Sequence, residues 1–278
     1  MGPTTERGAV LGRALRNDRL VAAAGLLGVA VLAWIYLGVE AGRMGAASDS
    51  MGSMGAMHGA MEGMADPSMA PGPWQVGTLA LTFLMWSVMM VAMMLPGAMP
   101  AMVLYGSIVR KNRAAGSVLP STWIFAAGYL SVWTGFALAA AILQVALDNG
   151  GLLTPTMSAA SPWLTGGLLV LAGVYQWLPV KDACLQKCRE PMTFFLMRWR
   201  AGAAGAFRMG AEHGLSCVGC CWALMLLLFA AGVMNLLWVA LIAAYILVEK
   251  LFPKGRLIGR LAGAALGTVG VGMIIMGA

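Results

Sequence analysis

The chain has 278 residues, of which 60% are hydrophobic and only 10% charged, and its mean hydropathy is +0.81. That balance excludes a soluble domain and describes an all-α, polytopic membrane protein with the lipid bilayer as its first partner. The net charge of +7 does not indicate nucleic acid, because basic residues in a membrane chain mark cytoplasmic loops.

A hydrocarbon core of about 30 Å takes roughly 20 helical residues to cross. Seven stretches qualify, near 20–38, 75–104, 122–147, 163–180, 209–233, 236–252 and 258–277. The sequence divides into a tail and first anchor (1–38), an outward loop (39–73) and a six-span metal-binding domain (74–278). The first span follows four arginines, which also fits a cleaved signal peptide, but its apolar run is long for one.

The loop between the first two spans is a low-complexity methionine, glycine and alanine segment without the bulky residues a core requires. Met51, Met54, Met57, Met61 and Met64 recur at helical spacing, with His58 beside the middle one. Thioethers are soft, uncharged ligands that suit Cu(I), and they form none of the disulfides by which thiols are lost outside the cell. Metal capture is the expected role.

Span two reads MWSVMMVAMMLPGAMPAM over 85–102. Met85, Met89 and Met93 form one row and Met90 with Met94 a second, one step round the helix. Pro96 and Pro100 withhold backbone donors, so a break is expected there.

After span four, KDACLQKCREP carries Cys184 and Cys188, four apart and flanked by Lys181, Lys187 and Arg189. Nearby cations favour the thiolate, which is the metal-binding form. Span five opens with GAEHGLSCVGCCW. At about 100° per residue, His213, Cys217, Cys220 and Cys221 share one face. Gly210 and Gly214 point the same way and admit a close neighbour, whereas Glu212 points elsewhere. All five cysteines fall on one side of the membrane, where a reducing compartment disfavours disulfides.

The basic residues give an independent test of topology. Of the 18 Lys and Arg residues, 17 fall in the N-terminal tail or in the loops after spans two, four and six, and only Arg43 falls opposite. The expected topology has a cytoplasmic N-terminus and an outside C-terminus.

The motifs MMVAMMLPGAMPAM, KDACLQKCREP and GAEHGLSCVGCCWALM, in that order, resemble a bacterial family of predicted metal-binding integral membrane proteins, a domain of unknown function, over roughly 74–252. The resemblance implies a polytopic fold and a metal role, and the expected location is a bacterial inner membrane. The row Met85, Met89, Met93 is similar to that of eukaryotic high-affinity copper transporters, and Cys220 and Cys221 with Cys184 and Cys188 look like the thiols of bacterial mercuric-ion importers.

The expected function is binding and translocation or transfer of a soft ion, Cu(I) first and Zn(II) or Hg(II) as alternatives, from the methionine loop to the cysteine and histidine site, with a metallochaperone or another membrane subunit as acceptor. A thiol oxidoreductase and an accessory subunit are the rival readings. No nucleotide-binding or hydrolytic signature occurs, so the chain is not expected to be an enzyme.

Overall fold

A computed structural model describes residues 23–43, 76–114, 122–154, 157–233 and 235–277. Among these the chain is all helical: α1 (Ala23–Arg43), α2 (Val76–Ala114), α3 (Thr122–Asn149), α4 (Pro162–Tyr175), α5 (Pro179–Arg189), α6 (Pro191–Arg198), α7 (Gly202–Ala231), α8 (Leu236–Leu251) and α9 (Gly255–Met276). The expected methionine loop lies outside the described residues, so Met51, Met54, Met57, His58, Met61 and Met64 have no structural counterpart here.

Five helices, α1, α2, α3, α7 and α9, are long and apolar enough to cross a membrane. This is fewer than the seven expected. The fourth expected span is α4, which stops after 14 residues, about 21 Å of rise, and meets α5 at a 67° bend; together they make at most a sixth crossing. The sixth expected span, α8, has 16 residues and rises only about 24 Å. Apolar composition runs on past α4, but the chain turns over 176–178 and Pro179 opens α5, whereas α8 ends within one residue of its expected bound, two residues before Pro253.

The expected break in α2 is also absent. The helix runs unbroken for 39 residues with Pro96 and Pro100 inside it. Pro96 cannot donate to the carbonyl of Ala92, four residues back, and that carbonyl instead accepts the indole N–H of Trp34 on α1 at 3.2 Å. The freed backbone acceptor is satisfied from a neighbouring helix, and the helix need not open. Trp34→Phe is expected to lower stability by about 1–3 kcal/mol, the cost of an orphaned buried acceptor, read as a lower midpoint of thermal unfolding in detergent.

The central helix is α7: 61% of its most apolar stretch is buried, against 17% for α9. It packs along α3 at backbone distance. The Phe207 carbonyl oxygen lies where a Gly128 side chain would begin, and the Phe125 carbonyl oxygen where a Gly210 side chain would. Gly214 continues the seam: an added Cβ there would stand 3.1 Å from the Tyr129 carbonyl oxygen. The expected role of Gly210 and Gly214 is borne out, with Gly128 as their partner on α3.

A buried polar group fixes α5. Lys181, 1% exposed, donates to Gln176 at the bend and to Glu249 on α8, which are themselves 3% and 2% exposed. Further out, Asp182 accepts Arg260 of α9 at 3.4 Å, and Arg189 donates to the carbonyls of Phe252 and Pro253 at 2.7 and 2.9 Å. The bend is therefore tied to α8 and α9 along the length of α5. Two of the 17 residues read as loop charges, Lys181 and Lys250, are in fact buried, at 1% and 5% exposure. Hydropathy places charges at span ends but does not say whether they face water.

Candidate metal centre

Four residues of the α7 motif lie on its buried face. His213, Cys217, Cys220 and Cys221 are each 1–2% exposed, as the helical phase requires. All five cysteines are free thiols. Cys188, half-buried on α5, packs against the core that holds Cys217 and Cys220 and lies near enough to feel both electrostatically, which brings two motifs about thirty residues apart into one neighbourhood. Cys184, one turn earlier, seats its Sγ on Gly219, where an added Cβ would stand 2.7 Å from the sulfur. That glycine is a notch for the Cys184 side chain. The Gly219 carbonyl, on the same turn, accepts the hydroxyl of Tyr175 from the end of α4.

The methionine row of α2 reaches this cluster at one residue. Met94 Sδ lies 3.9 Å from Cys221 Sγ. Met89, Met90 and Met93 are buried in the core, at 1–3% exposure, whereas Met85 is only partly buried. Met85 and Met89 border a small pocket with Leu37, Val233 and Leu236, away from the thiols. Of the expected α2 donors, Met94 alone has a recorded sulfur contact among the described residues.

His213 sits one turn before Cys217 among Phe125, Tyr129 and Phe194, with ring centroids 5.6–6.2 Å away. Its Nδ1 is buried with no hydrogen-bond partner, an arrangement that leaves a ring nitrogen uncommitted. Glu212, on the opposite face, accepts Arg198, Arg200 and Arg208, each at 3.4 Å, and takes no part in the cluster.

Two groups that the sequence reading did not place in the site touch Cys217 directly. Lys250 Nζ, from the end of α8, donates to Cys217 Sγ at 3.0 Å. The Tyr129 hydroxyl lies 3.1 Å from the same sulfur and 3.3 Å from the Met94 carbonyl. The signal for Lys250 was present, a lone lysine closing an apolar span, but it reads equally as a loop charge.

The thiols are gathered but not drawn into a closed ligand shell. Among the described residues no three His, Cys, Asp or Glu side chains form a set that would hold an ion at once. The local cause is visible: Cys220 and Cys221 each turn their S–H back to the Cys217 carbonyl, at 3.1 and 3.0 Å. A low-coordinate soft ion needs only two sulfurs. A tetrahedral site needs four donors held together. A cavity of about 750 Å³, lined by Leu224, Leu227, Trp238, Ile242 and Leu266, lies elsewhere and contains none of these groups.

The class these features define is an all-helical protein with five helices of membrane length and a buried row of thiols beside one thioether, donors of the kind that suit soft metal ions. Residues 83–273 match the family model described as "PpoB2: Copper chaperone", well over half of the chain, and the protein belongs to that family. Copper is therefore the metal implied among the soft ions expected. No curated protein and no solved structure matches the chain.

Proposed function

We propose that the protein takes up Cu(I) at the thiols shared by α5 and α7 and passes it across or out of the membrane to an acceptor. The observation that carries this reading is the row of free, buried thiols Cys217, Cys220 and Cys221 with the Met94 thioether 3.9 Å from Cys221 and Cys188 of α5 packed nearby. Thioethers bind Cu(I) weakly and thiolates bind it tightly, so an ion moving from Met94 to the cysteines runs toward higher affinity. In this reading Met85, Met89, Met90 and Met93 line the approach, and the loop methionines Met51 to Met64 with His58 collect the ion first. The polarity that fits is a cytoplasmic N-terminus in a bacterial inner membrane, with Cys184 and Cys188 facing a cytoplasmic metallochaperone or a partner subunit.

The test is an anaerobic titration of the purified protein with Cu(I) against a competing chelator. The wild type is expected to hold a stoichiometric ion. Cys217→Ala and Cys188→Ala are each expected to weaken it by at least about a hundredfold, ~2.7 kcal/mol, because the site spans both elements. Wild-type stoichiometry and affinity in both variants would exclude this site. A reversible disulfide with a defined potential, and no bound copper, would favour a thiol oxidoreductase instead.

A further inference from the structure

Lys250 is buried in a helical bundle, and an ammonium in such a place needs an anion. Its chain neighbour Glu249 is committed to Lys181, and among the described residues no carboxylate pairs with Lys250. Its polar contact is Cys217 Sγ, and since an ammonium only donates, the sulfur is the acceptor. The side chain reaches that sulfur by lying across Gly97 of α2, where an added Cβ would stand 3.3 Å from Lys250 Cδ and 3.4 Å from Nζ. The stretch LPGAMP thus contributes a gap between its prolines through which the lysine passes.

We propose that Lys250 is the resident counter-cation of the thiol site, and that its fixed charge makes the site select a monovalent soft ion over a divalent one. The proposal deepens the copper reading and rests on it. Cys217, the partner of the ammonium, is one thiolate, and a second cysteine gives up its proton to water as the metal binds, leaving two thiolates beside one ammonium. A Cu(I) ion brings that set to neutrality. A Zn(II) or Hg(II) ion leaves a net positive charge in a low-dielectric interior, where an uncompensated charge is costly. Without Lys250 the preference reverses: the divalent complex becomes neutral and the Cu(I) complex carries a negative charge.

The experiment measures Cu(I) and Zn(II) affinities of the full-length protein in detergent, each against its own chelator. Lys250→Gln is expected to lower the Cu(I) to Zn(II) affinity ratio by at least about tenfold, ~1.4 kcal/mol, and Lys250→Arg to keep it near the wild-type value. Gly97→Ala provides a variant whose helix is not weakened, since alanine is the better helix former. By crowding the lysine stem it is expected to move the ratio the same way by a smaller factor. An unchanged ratio in both Lys250→Gln and Gly97→Ala overturns the proposal, as does a ratio in Lys250→Arg that falls as far as in Lys250→Gln. Failure of the wild type to bind Cu(I) at all is a different result, read before any variant, and removes the copper reading itself.

Discussion

Replacing Glu249 with leucine is expected to lower the unfolding free energy by about 3–5 kcal/mol, among the largest effects of any single substitution outside the thiol cluster. The carboxylate and Lys181 are both 2% exposed at the side chain, so removing one partner strands the other charge away from water. Gln176 remains as an acceptor for the ammonium but carries no compensating charge. Adding Lys181→Met to Glu249→Leu is expected to recover most of the loss, because a buried pair replaced by apolar groups of similar volume is often no less stable. Thermal unfolding of the two single variants and the double variant in detergent gives the cycle. Additive losses would mean that the two charges are solvated separately and do not act as a pair.

Gly210→Ala is expected to cost ~3 kcal/mol or more and to abolish copper binding with it. Overpacking ordinarily costs about 1–3 kcal/mol when side chains can move aside. Here the obstacle is the Phe125 carbonyl oxygen, part of the α3 backbone, so the two helices themselves must separate. The thiols lie on the same face of α7 within the next three turns, and Tyr129, which touches Cys217, lies on α3. Gly135→Ala on α3 is the control: nothing stands within 4 Å of its added methyl, and the change is expected to be neutral or to stabilise by up to ~1 kcal/mol. Equal unfolding midpoints for the two variants would remove the claim that α3 and α7 meet at backbone distance.

What the sequence reveals and what it conceals follow from the range of the interactions involved. The buried face of α7 was legible, because helical phase alone places His213, Cys217, Cys220 and Cys221 together and no distant residue is needed to decide it. The glycine seam was legible for the same reason. The meeting of Cys188 with Cys217 was not, since it depends on the 67° bend between α4 and α5 and on a Lys181–Glu249 pair 68 residues apart in sequence. The fate of Pro96 was equally hidden: local rules call for a break, and the donor that removes the need for one, Trp34, comes from 58 residues away. Lys250 was misread because composition treats every charge at a span end alike, while only packing shows that this one turns inward toward a sulfur.

Because the sulfurs are divided between α5 and α7, the denticity offered to an ion is a property of the angle between two helices as well as of side-chain rotamers. With α5 docked on the Gly219 notch, an ion bound as proposed would meet thiols from both sides; a hinge-like swing of α5 about residues 176–178 would leave it with α7 alone. Under the proposed function, retention and release of the cargo would in that sense be mechanical quantities, set by whatever holds or loosens the short helix at its Lys181 anchor.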